Sequence, residues 1–201
     1  MRKLKLQVQI SIDGFIAAEN GSSDWLVWNW GPVWSWDDEL KKYFNDLTDS
    51  VDCVLLSRKM AVEGFIDHWA KVAQNPNDPQ FTFSSSIAKA HKVVFSKTLE
   101  QSTWNNTVLA KGDLVKEVNA LKSQSPSLSG GKDMIVYGGS SFVASLIKAG
   151  LIDEFYLFVN PAALGKGLPI FGLLEHTMKL KLVKARSYDC GVVVLKYESR
   201  K

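Results

Sequence analysis

Met134-Ile135-Val136-Tyr137-Gly138-Gly139-Ser140-Ser141-Phe142 is the stretch on which the reading of the fold turns. A short apolar run suited to a buried strand meets two glycines, and a serine then opens a segment with helical spacing. Glycine has no Cβ, so the backbone can turn sharply there and a ligand can approach its amides. The first N–H groups of the following helix have no partner within it and lie at its positive end. Together these features suit a phosphate without any charged side chain. The pattern is not the Gly-x-Gly-x-x-Gly fingerprint of dinucleotide folds, and taken locally a tight connection with no ligand is an equal reading.

Working outward, residues 133–137 read as a strand, 140–149 as a helix closed by Gly150, and 153–160 as a strand. Upstream, the apolar run 51–56 reads as a buried strand that leads through Ser57-Arg58-Lys59-Met60 into a helical segment, 58–66. Two cations at a helix start conflict with its dipole unless an anion is present, although a solvated basic pair is the plainer alternative. Residues 91–95 form a third strand ending in Ser96-Lys97-Thr98, 107–109 a further one, and 114–122 a helix. In a parallel sheet the ends at Ser57, Ser96 and Gly138 face one edge, the edge where ligands bind.

The N-terminal part alternates over residues 3–11, with Leu4, Leu6, Val8 and Ile10 on one face, then turns at Asp13-Gly14. Residues 18–35 are irregular. Ser35 is placed to cap a helix whose first turn carries Asp37, Asp38 and Glu39 and whose apolar face holds Leu40, Phe44 and Leu47. Residues 74–80 and the Ser/Gly stretch 123–132 read as loops, the latter as the segment most prone to disorder, and 161–171 as a loop containing Gly165-Lys166-Gly167. Strands 180–188 and 192–197, joined at Asp189-Cys190-Gly191, close the chain as a hairpin. The predicted fold is a three-layer α-β-α domain over residues 1–201, with a mostly parallel central sheet and an antiparallel C-terminal hairpin.

With 46% hydrophobic and 22% charged residues, the composition is that of an ordinary globular chain. A net charge of +3 with scattered lysines gives no basic stripe for nucleic acid. No apolar run approaches the roughly 20 residues of a membrane span, and no signal-peptide pattern opens the chain, so a cytoplasmic protein is expected. Cys53 and Cys190 lack metal spacing and read as buried free thiols; His68, His91 and His176 show no ligand spacing, and no metal is expected. Trp25, Trp28, Trp30, Trp34 and Trp36 crowd one loop, either as a stacking lid for a flat substrate, with Trp25 and Trp28 as candidates, or as core or interface.

Ser11-Ile12-Asp13-Gly14-Phe15-Ile16-Ala17, Ser57-Arg58-Lys59-Met60-Ala61-Val62-Glu63-Gly64-Phe65, Ser96-Lys97-Thr98-Leu99 and Tyr137-Gly138-Gly139-Ser140, in this order, resemble the dihydrofolate-reductase-like superfamily. The run from Asn160-Pro161 to Phe171-Gly172 brings the chain closest to the C-terminal reductase domain of the bifunctional riboflavin-biosynthesis deaminase-reductase. The resemblance implies NADPH as hydride donor. It places Ile16 and Ala17 beside the nicotinamide, Arg58, Lys59, Ser96 and Lys97 at the adenosine 2′-phosphate, and Gly138, Gly139, Ser140 and Ser141 at the pyrophosphate. Ser57 and Met60 stand where the family usually has Gly and often Thr. Folate reduction by relatives needs a buried acid on the first helix, for which Asp38 and Glu39 are candidates beside their plainer role as helix-start acids; Asp13 and Asp24 are alternatives. The resemblance further implies a homodimer acting on a small-molecule substrate. The activity expected is 5-amino-6-(5-phosphoribosylamino)uracil reduction or a related reduction of a small heteroaromatic or sugar-imine substrate. Dihydrofolate reduction, and a nucleotide-binding module without turnover, are the alternatives.

Overall fold

The computed structural model describes residues 1–124 and 131–200. Residues 125–130 of the expected Ser/Gly loop lie outside the described residues. The elements are β1 (Leu4–Ile10), α1 (Asp38–Asp49), β2 (Val51–Ser57), α2 (Arg58–Val62), α3 (Phe65–Val72), α4 (Phe81–Lys89), β3 (His91–Phe95), β4 (Thr107–Ala110), α5 (Leu114–Ser123), β5 (Asp133–Val136), α6 (Ser140–Lys148), β6 (Glu154–Val159), β7 (Leu180–Ser187) and β8 (Val193–Ser199). Four strands run in the order β4-β3-β2-β5, and four in the order β1-β6-β8-β7. Pairs β3–β4, β2–β3, β2–β5 and β1–β6 are parallel, whereas β6–β8 and β7–β8 are antiparallel. The α/β fold with a mostly parallel sheet and a closing hairpin is therefore the one expected.

The chain divides into two compact units, Met1–Leu4 with Lys42–Gly139, and Lys5–Lys41 with Ser140–Lys201. The first unit packs around an aromatic cluster. Phe83 from α4 lies 4.7 Å from both Phe44 and Trp69 and 5.8 Å from Tyr137, measured between ring centres. Helix α4 escaped the sequence reading because Phe81-Thr82-Phe83 alternates like a strand and Ser84-Ser85-Ser86 reads as a loop; burial of Phe83 and Ile87, one turn apart, overrides both signals. The helix expected over residues 58–66 is in fact two, because Gly64 adopts φ +100°, a left-handed conformation that ends one helix and starts the next.

In the second unit the tryptophan loop turns inward. Trp28 is 2% exposed, and its ring centre lies 4.8 to 5.1 Å from those of Trp30, Trp34 and Trp36; Trp36 in turn stacks on Phe158 of β6 at 5.4 Å. Strand β1 corrects its one-sided reading, since every residue from Leu4 to Ile10 is buried, Lys5, Gln7 and Gln9 included. An interior strand with both faces covered loses its solvent side, so alternation in sequence does not become alternation in exposure. Gln9 satisfies its amide on Trp28 O at 2.8 Å, but both amide atoms of Gln7 lack a partner among the described residues. An orphaned buried amide costs about 1–3 kcal/mol, so Gln7→Met, of similar volume, is expected to raise stability to urea by about 1 kcal/mol. A loss of stability instead would show that the amide forms bonds its packing does not reveal.

Both cysteines are free; burial pushes the Cys53 thiol up to about 12, and Cys190 is half-buried. Among the described residues no cluster of side chains suits a metal ion, and no helix is long and apolar enough to cross a membrane.

Candidate active site

The first unit brings three strand ends to one edge. Ser57 of β2 pairs in register with Phe95 of β3, and Leu55 with Val136 of β5, so Ser57-Arg58, Ser96-Lys97 and Tyr137-Gly138 leave the sheet side by side. Parallel strands force this, because their carboxyl ends point one way. Ser57 is the N-cap of α2 and accepts a hydrogen bond from Met60 N–H at 3.2 Å. The serine that departs from the family's glycine thus has a local structural use. Arg58 is exposed at the helix start, and its guanidinium has no partner among the described residues. Lys59 reaches Glu63 at 3.7 Å across exposed helix surface, an interaction of small energy. Ser96 is buried and its Oγ accepts from Thr98 N–H and Leu99 N–H at 3.2 and 3.0 Å, which shapes the turn that leaves Lys97 exposed and without a partner among the described residues.

Tyr137 anchors the glycine turn. Its hydroxyl lies 3.1 Å from Thr48 Oγ1, its ring sits in the aromatic cluster, and burial raises its pKa. Gly138 is itself buried, yet a Cβ there would meet nothing within 4 Å. Gly139 has φ +84°, which favours glycine, and Ser140 begins α6 in the second unit, where Ser141 is exposed. Within the first unit, a glycine turn beside two exposed cations without partners among the described residues suits an anionic group, so the residues fit such a ligand.

In the second unit, Ile16 and Ala17 belong to a pair of interlocked loops. Ile12 N–H donates to Ala162 O at 2.8 Å, Ile16 N–H to Leu168 O at 3.0 Å, and Leu168 N–H to Ala17 O at 2.9 Å; Phe15 and Pro169 form an antiparallel bridge. Gly167 is required by close approach, because a Cβ there would lie 2.4 Å from Ala17 O and 2.9 Å from Phe15 Cβ. Asp13 closes the loops: its carboxylate accepts from Ser11 Oγ at 2.6 Å, Leu164 N–H at 3.0 Å and Gly165 N–H at 2.6 Å. The bond from Ser11 above all, with those from Gly165 and Leu164, holds its pKa down to about 2 against the opposing effect of desolvation, so it stays ionised at ordinary pH and has no proton to give.

The candidate acids lie on the surface. The Asp38 side chain is 99% exposed and pairs with Lys41; that of Glu39 is 72% exposed and pairs with Arg186. Neither is the buried acid that folate reduction calls for. Asp37, not Ser35, caps α1: its Oδ1 accepts from Leu40 N–H at 2.9 Å and its Oδ2 from Cys190 N–H at 3.1 Å. Ser35 donates to Val27 O instead. Asp24 is exposed and takes the Ser22 hydroxyl at 2.9 Å, holding its own turn. Trp28 lies in the core cluster and Trp25 is half-buried, so only Trp25 of the two candidate substrate contacts has ring surface to offer. Sequence reading missed Asn160, fully buried, which accepts from Val27 N–H at 2.9 Å and donates to Phe158 O, fixing the tryptophan loop to the end of β6. The Asn160-Pro161 pair is a turn signal, but nothing local names its distant partner.

The mostly parallel α/β sheet closed by an antiparallel hairpin, with a glycine turn and exposed cations at the strand ends of the first unit, defines the class of fold. Residues 2–194 match the RibD C-terminal domain family, and the chain belongs to that family. It is 30% identical over 198 residues, 98% of this chain and 94% of the relative, to Uncharacterized protein YyaP of Bacillus subtilis (strain 168). A Shewanella sp. PV-4 protein provisionally assigned to riboflavin biosynthesis shares its fold with a TM-score of 0.67 at 22% identity, all of both chains being covered. So does the Thermotoga maritima diaminohydroxyphosphoribosylaminopyrimidine deaminase/5-amino-6-(5-phosphoribosylamino)uracil reductase, with a TM-score of 0.64 and 16% identity over 99% of this chain and 57% of that one.

Proposed function

We propose that this chain is an NADPH-dependent reductase of the riboflavin-biosynthesis type, acting on a small heteroaromatic or sugar-imine substrate such as 5-amino-6-(5-phosphoribosylamino)uracil. The observation that carries the reading is the set of three parallel strand ends in the first unit, where Arg58 and Lys97 are exposed without partners among the described residues and a Cβ at Gly138 would meet nothing within 4 Å. When bound, NADPH supplies a hydride. Arg58, with Lys59, Ser96 and Lys97, would hold the 2′-phosphate through charge-assisted bonds. Gly138, Gly139, Ser140 and Ser141 would meet the pyrophosphate with backbone amides and hydroxyls. Ile16 and Ala17 would border the nicotinamide, and Trp25 would offer its ring to a flat substrate. The surface positions of Asp38 and Glu39 favour this reading over dihydrofolate reduction. A cytoplasmic homodimer is part of the proposal, and light scattering of the purified protein tests the dimer.

The decisive measurement compares NADPH with NADH. Arg58→Ala is expected to weaken NADPH binding about 10–100-fold, the worth of a charge-assisted phosphate contact, and to leave NADH binding unchanged. Equal loss for both cofactors would remove Arg58 from the 2′-phosphate. NADPH oxidation on addition of the pyrimidine substrate separates an enzyme from a nucleotide-binding module without turnover.

A further inference from the structure

We propose that Asp13 is a positioning residue whose carboxylate clamps the 161–169 loop onto the 11–17 turn and thereby sets the backbone surface at Ile16 and Ala17. This inference rests on the proposed function, in which that surface borders the nicotinamide.

An aspartate that only held its own turn would spend its oxygens on neighbouring amides. Asp13 does otherwise. One oxygen takes the Ser11 hydroxyl, and both reach Leu164 N–H, 151 residues along the chain, while Oδ2 also takes Gly165 N–H. Gly165 has φ +72°, a left-handed bend that turns successive N–H groups toward one anion. The carboxylate therefore occupies a concave seat made by the opposite loop. Its place in the pairing pattern matters as much. The Ile12–Ala162 bond lies on one side of it and the Ile16–Leu168 and Ala17–Leu168 bonds on the other, so the clamp falls midway along the contact. Without it, residues 163–167 keep only their two ends. Gly167, packed within a Cβ's reach of Ala17 O, is the part of that span that bears directly on the cofactor-bordering residues. Asp13 is exposed and spends its charge on this contact at a place where water would otherwise solvate it. Charge-assisted bonds to two backbone amides are the strong kind, which gives the clamp its hold.

The test uses the full chain with Asp13→Ala and Asp13→Asn. Hydrogen exchange at the Leu164 and Gly165 amides should accelerate in D13A and less in D13N, which keeps one acceptor oxygen. NADPH affinity should fall about ten-fold in D13A, the worth of one charge-assisted contact, with partial recovery in D13N. Affinity for 2′,5′-ADP, which carries the 2′-phosphate and no nicotinamide, should not change in either variant. Unchanged exchange at both amides overturns the clamp. Equal weakening of NADPH and 2′,5′-ADP, or no weakening of NADPH, overturns the positioning role while leaving the NADPH reading intact. Failure of the unaltered protein to bind either ligand sinks the NADPH reading and, through it, this one. Should D13A not fold, D13N is read against the same outcomes at smaller amplitude.

Discussion

Trp28→Ala is expected to lower the free energy of unfolding by about 3–5 kcal/mol, the range for emptying a large aromatic site in a packed core. The ring is 2% exposed and central to its cluster, with Trp30, Trp34 and Trp36 all at about 5 Å, so its removal leaves three rings facing a void. Its Nε1 also donates to Gly31 O at 3.1 Å, a hydrogen bond that the variant loses. Urea denaturation followed by far-ultraviolet circular dichroism measures the change. A loss under about 1 kcal/mol would mean that the loop is held from elsewhere and that Trp28 is available for another use. Trp28→Phe, which refills much of the volume, should recover a large part of the difference.

Gly167→Ala is the second large effect. The new methyl would sit 2.4 Å from a backbone oxygen, Ala17 O, and 2.9 Å from Phe15 Cβ, and backbone cannot swing aside as a flexible side chain can. Overpacking of this kind costs about 1–3 kcal/mol, and the upper end is expected here. The displaced atoms belong to the cofactor-bordering turn, so NADPH binding should weaken far more than 2′,5′-ADP binding. Calorimetry with the two ligands checks the contrast. Wild-type stability together with wild-type NADPH affinity would show that the two loops can part without consequence.

Much of the architecture was legible because its signals are local. The run from Asp133 to Val136, the glycine pair and the helical spacing after Ser140 each speak within a few residues, and they gave a strand, a turn and a helix where the structure has them. The cation pair after Ser57 and the hydroxyl after Phe95 are likewise placed at strand ends by the sequence alone. Element boundaries failed where packing overrode propensity, at α4 and at the break before Phe65. The surface position of the acids was illegible for another reason. Asp38 and Glu39 satisfy the composition of a first helical turn equally well on a surface or in a cavity, and burial is a property of neighbours.

The amino-acid sequence by itself determined the alternation of strands and helices, the closing hairpin, the glycine turn and the family. Periodicities of two and 3.6 residues and the freedom of glycine are written into the chain over spans of four to ten residues. Tertiary structure alone decided that both faces of β1 are buried, that Trp28 lies in the core while Trp25 keeps exposed surface, that Asp37 and not Ser35 caps α1, and that Asp13 spends its charge on amides 151 and 152 residues away. The reason is the same in each case: strand order brings distant segments together, and a side chain's burial and partner follow from what is brought to it.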